Sequence, residues 1–173
     1  KCVVQMTLTT FDENLCQKLE PGVCTTQRRI EVLKELHKNG IPTIVWLTPI
    51  LPFINDSQEN ILKILEECHE AGVKGIICFG MGVTLREGSR EYYYKQLERL
   101  FPGMKEKYQM TYNDQYTLNS PHNRDLMNLF FKKCQEYQMM CNYLEIFEYL
   151  QEFEEKTPIK KKDIHDFEQL SLF

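Results

Sequence analysis

The feature that most constrains this chain is an alternation of two periods. Three short β-rich apolar runs, VVQMTL (residues 3–8), PTIVWLTPIL (residues 42–51) and VKGIICFG (residues 73–80), are each followed by a segment whose apolar residues recur at helical spacing. The second and third runs are continuous rather than alternating, the pattern of a strand buried on both faces. Strands joined by helices of this length pair in parallel through right-handed crossovers. The expected fold class is therefore α/β, with a parallel sheet.

The helical segments carry their own punctuation. After the first run, Ile30, Leu33, Leu36 and His37 share one face and Asn39-Gly40 supplies a stop. After the second, Asp56 and Glu59 read as a capping box for a helix that turns Ile61, Ile64, Leu65 and Cys68 inward and ends at Gly72. A third helix is expected over residues 91–101, halted by Pro102, and residues 103–119 read as irregular. Ser120 then looks like an N-cap with Pro121 at the first helical position, opening a helix whose apolar face is Leu126, Leu129, Phe130, Cys134 and Tyr137. A further helix is expected over residues 142–155, and after Lys156 the chain turns charged and reads as a tail.

Three such strands alone would leave long apolar edges open. The expectation is that other strands belong beside residues 3–8, and that the opening at Lys1, inside an apparent strand, reflects a lost N-terminal region. The organisation expected is a part-barrel over residues 1–119, C-terminal helices over 120–156 and a tail over 157–173.

Composition narrows the function classes. A net charge of −4 carries no global nucleic-acid footprint. No apolar run approaches the roughly 18 residues needed to span a bilayer, so no membrane role is expected. The seven cysteines (Cys2, Cys16, Cys24, Cys68, Cys78, Cys134 and Cys141) are odd in number, irregular in spacing and free of any C-x-x-C. That pattern fits neither a disulfide scaffold nor a zinc site, and points to free structural thiols in a reducing, cytoplasmic setting.

In parallel α/β architectures ligands meet the loops after the strands. After the first strand, Thr7 and Thr9 alternate with Leu8, so both hydroxyls are expected on one side, able to bond a ribose or carboxylate or simply to favour a strand. Glu20 is placed to pair with Arg29 at the following helix start. The Arg29 guanidinium is equally suited to hold an amino-acid carboxylate, or to sit on the surface of a first helical turn. After the second strand, Pro49 and Pro52 rigidify the exit, while Asn55 and Asp56 read as turn and cap. After the third, Gly80-Met81-Gly82 permits either close backbone approach to a ligand or an ordinary turn. No nucleophile–base pair can be assembled, and His37, His69, His122 and His165 lack metal spacing. Lys160-Lys161-Lys162 reads as a solvated face.

Thr7, Leu19-Glu20-Pro21, Arg29, Pro49-Ile50-Leu51-Pro52 and Asn55-Asp56, in that order and spacing, resemble the central part of radical S-adenosylmethionine (SAM) proteins related to spore photoproduct lyase, a DNA-repair group. The resemblance covers roughly residues 3 to 110. It implies a partial (β/α)6 TIM barrel of which this chain is the second half, and a parent enzyme in which a [4Fe–4S] cluster, held by a C-x-x-x-C-x-x-C motif, reduces SAM to a 5′-deoxyadenosyl radical. It further implies that Thr7, Thr9, Glu20, Arg29, Pro49 and Asn55 help hold SAM. The cluster motif does not occur in these residues, so the chain as given is expected to bind no cofactor and to catalyse nothing.

The last five residues, Gln169-Leu170-Ser171-Leu172-Phe173, are similar to the pentapeptide with which bacterial polymerases and repair proteins bind the DNA sliding clamp. From average residue usage, such a match arises about once per million sites. The implied partner is that clamp, with Leu172 and Phe173 in an apolar pocket and Gln169 at its rim; the other reading is a tail folded back onto its own barrel. Nucleic acid is a possible partner of the parent. Two further expectations stay open: a non-catalytic module that delivers the pentapeptide to the clamp, and an unrelated barrel enzyme for a phosphorylated ligand, for which no Gly-rich helix start is present.

Overall fold

The computed structural model describes residues 2–152. The chain order is β1 (Val4–Thr7), α1 (Glu13–Leu19), α2 (Thr26–Lys38), β2 (Thr43–Trp46), α3 (Gln58–Glu70), β3 (Gly75–Ile77), β4 (Gly82–Thr84), α4 (Ser89–Leu100), α5 (Met104–Tyr112), β5 (Thr117–Asn119), α6 (Asn123–Glu136) and α7 (Tyr143–Gln151). The α/β class and the parallel sheet are as the sequence pattern requires: β1, β2 and β3 lie side by side in that order, all parallel, with Val4 opposite Thr43 and Ile44 opposite Gly75. Among the described residues these three strands form an open sheet.

Successive side chains of a strand face opposite ways, and here each face has its own cover. On one face Leu8, Val45, Leu47 and Ile76 pack with Ile30 and Leu33 of α2, Ile61, Ile64, Leu65 and Cys68 of α3, and Leu126, Phe130 and Cys134 of α6. The inward set expected for α3 is thus wholly buried. On the other face Ile44 and Ile77 meet Ile146, with Val3, Trp46, Phe147 and Leu150 around them, so α7 covers this side. At the upper end of that face the rings of Trp46, Phe79, Tyr143 and Phe147 gather, with Phe79 edge to face against Trp46 and Tyr143, and Phe79 stays 57% exposed.

The two sheet edges differ. At the β3 edge Ile76 N donates to Met140 O (2.8 Å) and Met140 N to Lys74 O (3.0 Å), so the segment after α6 closes it. Gly75 makes this approach possible, because a Cβ there would lie 2.8 Å from Met140 Cβ. The β1 edge has no partner strand among the described residues.

Several local expectations are corrected. Residues 103–119 are not irregular: they form α5 and β5, and β5 pairs antiparallel with β4 to build a small lobe with α4. The lobe has its own core of Leu85, Leu97, Leu118, Tyr94, Tyr108 and Tyr112. The helical spacing in α5 was carried by Met104, Tyr108 and Tyr112, amphipathic residues whose hydroxyls disguise an apolar face. Helix α1 was not foreseen either; Asp12 caps it, accepting from Leu15 N at 2.6 Å.

Asp56 is not the N-cap of α3. Ser57 is, with extended φ/ψ and its side chain accepting from Asn60 N at 3.1 Å, while Asp56 instead accepts from Ser120 Oγ at 2.5 Å. That bond also explains why Ser120 does not cap α6, which begins at Asn123 after a turn in which Ser120 Oγ accepts from His122 N. The last helix ends at Gln151, within the expected span. No helix among the described residues is long and apolar enough to cross a membrane.

Candidate functional site

The loops after β1 and β2 converge above the sheet and are tied together by buried polar groups. Asn55, 2% exposed, sits at the centre. Its Nδ2 donates to Thr9 O (2.9 Å) and Thr10 Oγ1 (3.2 Å), and its Oδ1 accepts from Leu51 N (2.5 Å). Asn60, on the first turn of α3, repeats the device: Nδ2 donates to Thr9 O (2.9 Å) and Asn55 O (2.8 Å), and Oδ1 accepts from Phe11 N (2.7 Å). Thr26 Oγ1 closes the knot onto Thr10 O at 2.5 Å. A backbone leaving a parallel sheet must find partners for its buried amides and carbonyls, and these side chains supply them.

Sequence reasoning placed Asn55 here but missed Asn60, Thr10 and Thr26. The available signal was polar residues at core-facing helical positions: Thr26 and Asn60 each lie four residues before a buried residue of the same helix, Ile30 and Ile64.

Arg29 and Glu20 form the expected ion pair, and Arg29 Nη1 also donates to Thr7 O at 3.2 Å. Burial opposes the guanidinium's charge, yet its hydrogen bonds to Glu20 and Cys24 outweigh that and raise its pKa above the usual value. The Arg29 side chain, 11% exposed, therefore holds the loop between α1 and α2 against the end of β1. Thr7 takes part through its carbonyl. Thr9, beyond the end of β1, is 7% exposed.

Of the six predicted site residues, Thr9, Glu20, Pro49 and Asn55 line one cleft of about 520 Å3. Arg29 and Thr7 stand behind its wall. The opposite wall comes from β4 and α4 of the lobe, including Val83, Tyr93 and Leu97. Pro49, preceded by a cis peptide bond, is exposed at the lip.

The Tyr108 hydroxyl ties the lobe to the loop after β2, and two more tyrosine hydroxyls brace it internally. Tyr93 donates to Tyr108 (3.2 Å), Tyr108 to Pro52 O (2.6 Å) and Tyr112 to Asn119 O (2.6 Å). Burial pushes the Tyr93 and Tyr112 phenols up to about 12 and Tyr108 higher still, so all three stay neutral donors.

Of the two glycines after β3, Gly82 answers a packing demand. A Cβ on Gly82 would lie 2.5 Å from Leu118 O, so this glycine admits β5 against β4. Met81 N donates to Asn123 Oδ1 at 2.8 Å.

The residues do not fit an iron–sulfur cluster. Among the described residues no group of three His, Cys, Asp or Glu is placed to hold a metal ion. Cys68 and Cys134 are fully buried in the core, and burial raises the pKa of both, with Cys78 pushed up to about 11, whereas a cluster needs thiolates. For SAM, the Arg29 guanidinium is already neutralised by Glu20 and the Asn55 amide is spent on Leu51, Thr9 and Thr10. The pentapeptide Gln169, Leu170, Ser171, Leu172 and Phe173 lies outside the described residues.

The fold and cleft define an α/β protein with a ligand-sized opening at the C-terminal ends of a parallel sheet. No known protein-family profile matches the chain. It is similar to an uncharacterized protein of Mycobacterium tuberculosis strain H37Rv, 28% identical over 109 residues, and equally to one of Mycobacterium bovis; the match covers 63% of this chain and 32% of each relative. An uncharacterized protein of Methanocaldococcus jannaschii is 36% identical over 53 residues, 31% of this chain and 20% of that protein. The chain thus spans at most about a third of the length of these relatives.

Proposed function

We propose that this chain is the second half of a radical SAM enzyme of the photoproduct-lyase-like repair group, its cluster supplied by sequence outside these residues. The observation that carries the reading is the convergence of Thr9, Glu20, Pro49 and Asn55 on one cleft at the C-terminal end of the sheet. The β1 edge, without a partner strand among the described residues, is in keeping with it, since a part-barrel would continue there. In such a barrel the face under α7 would turn inward, so the reading also requires α7 to plug or flank the lumen.

When bound, SAM with its cluster would supply a carbon radical. The contribution of this chain is to hold the loops: Arg29 and Glu20 fix residues 20–29 against β1, and Asn55 with Asn60 fixes Thr9, so the rim of the cleft is set before any ligand arrives. A reducing, cytoplasmic setting suits its free thiols.

The test is to express the protein with its flanking sequence, reconstitute it anaerobically with iron and sulfide, and look for a cluster signal by electron paramagnetic resonance and for cleavage of SAM to 5′-deoxyadenosine. A parent without a C-x-x-x-C-x-x-C motif, or one that binds no iron, ends the enzyme reading.

The C-terminal pentapeptide favours a second role, docking to the sliding clamp, either in the repair enzyme or in a non-catalytic module. Deleting Phe173 should abolish clamp binding in a pull-down with purified clamp and leave any SAM affinity untouched. Clamp binding that survives the deletion refutes the docking role.

A further inference from the structure

The cleft has a chemical character that the predicted residues do not account for. Its walls are apolar: Leu19, Ile54, Val83, Leu97 and Leu100, with the ring of Tyr93 among them. Its rim carries Lys18 and Arg99. Lys18 Nζ lies 4.1 Å from the centre of the Phe101 ring, and Arg99 Nε donates to Gln96 Oε1 at 2.9 Å. Neither cation is within ion-pair distance of a carboxylate among the described residues. The one carboxylate lining the cleft, Glu20, is neutralised by Arg29. Among the described residues the opening therefore presents two positive charges without an ion-pair partner above an apolar floor.

We propose that this cleft binds a small anionic aromatic molecule, its planar apolar body between the β4 wall and the loop after β2 and its carboxylate, sulfonate or phosphate at Lys18 and Arg99. The volume of about 520 Å3 accommodates a molecule of two or three fused or linked rings. Burial of the rings supplies affinity, and the two rim cations select the anion. The ring of Phe101 holds the Lys18 ammonium at the rim, which lowers the entropy lost when an anion engages it. This inference stands on the cleft alone: a parent without an iron–sulfur cluster would leave it intact.

The probe is anilinonaphthalene sulfonate, titrated by fluorescence into the whole chain at low salt, with phenyl naphthylamine as its neutral counterpart. Two variants separate the terms. The double reversal Lys18→Glu with Arg99→Glu removes the charge, and Thr84→Trp fills the cleft; all three side chains are exposed, so the fold persists and a thermal melt checks it. The expected result is saturable binding of one dye per chain, weakened roughly tenfold or more by the double reversal and lost in Thr84→Trp, with the neutral dye roughly tenfold weaker than the anion. Equal affinity for the neutral dye, binding unchanged in both variants (which would put the dye elsewhere, such as the exposed rings of Phe79 and Tyr143), or no saturable binding would each overturn it.

Discussion

The side-chain amide of Asn55 donates a 2.9 Å hydrogen bond to the carbonyl of Thr9, 46 residues earlier in the chain. With Leu51 N on its oxygen, Asn55 joins the exits of two neighbouring strands in one buried contact. That joint sets the Thr9 and Asn55 part of the cleft lining.

Replacing Asn55 by Leu should therefore destabilise the protein by about 2–4 kcal/mol, because Leu51 N, and Thr9 O in part, lose their partners in a dry setting. Asn55→Asp keeps the acceptor for Leu51 N but turns a second carboxylate oxygen toward Thr9 O in a buried setting, and should cost at least as much as Leu at neutral pH. Urea denaturation followed by far-UV circular dichroism measures both. A change under about 0.5 kcal/mol for Leu would show that water takes over the contacts.

Arg29→Met removes the donor to Thr7 O and leaves Glu20 unpaired, with an expected loss of about 1–3 kcal/mol. Glu20, about a third exposed, is partly screened, so Glu20→Gln should cost less than Arg29→Met, and its cost should shrink further in high salt. Arg29→Lys should not restore stability, since one ammonium cannot serve both acceptors in the geometry of the fork. Melting temperatures of the three variants at low and high salt decide it.

Gly75→Ala and Gly82→Ala are expected to destabilise by about 1–3 kcal/mol each, through overpacking at two different contacts. A methyl on Gly75 strikes Met140 and pries open the covered edge of β3, whereas one on Gly82 strikes Leu118 O and separates β4 from β5. Amide hydrogen exchange distinguishes them. Faster exchange should appear at Ile76 and Met140 in the first variant, and in β4 and β5 in the second.

Thiol labelling should divide the cysteines by burial. In the native protein Cys2 and Cys24 should react quickly with Ellman's reagent and Cys141 more slowly, while Cys16, Cys68, Cys78 and Cys134 react only on unfolding. Fast labelling of all seven would contradict the core described above.

Stability should fall in alkali. Burial raises Cys78 from its ordinary 9.0 to about 11, and Tyr93 and Tyr112 from 10.0 to about 12. The unfolded chain therefore releases these protons first, so their contribution is whole below about pH 9 and is lost as pH rises through 11 to 12. Urea midpoints measured from neutral pH upward should be level to about pH 9 and then decline.

The sequence by itself determined the alternation of strands and helices, the inward face of α3, the Ile30 and Leu33 part of that of α2 (His37, read on the same face, is exposed), and the stretch of loop in which a site would lie. Those properties are local: they follow from the period of apolar residues and from stops such as Asn39-Gly40, and they are legible wherever a segment's own pattern decides its state. Only the tertiary structure decided what the polar residues do. Asp56 bonds Ser120 instead of capping a helix, and Gly82 makes room for β5, because the partner in each case comes from a distant part of the chain. The same reason hid the lobe. The apolar face of α5 is built from tyrosines, which read as polar until Pro52 and Tyr93 engage their hydroxyls, and β5 is a strand only because β4 lies beside it. The cleft exists only where these long-range contacts bring the lobe over the sheet.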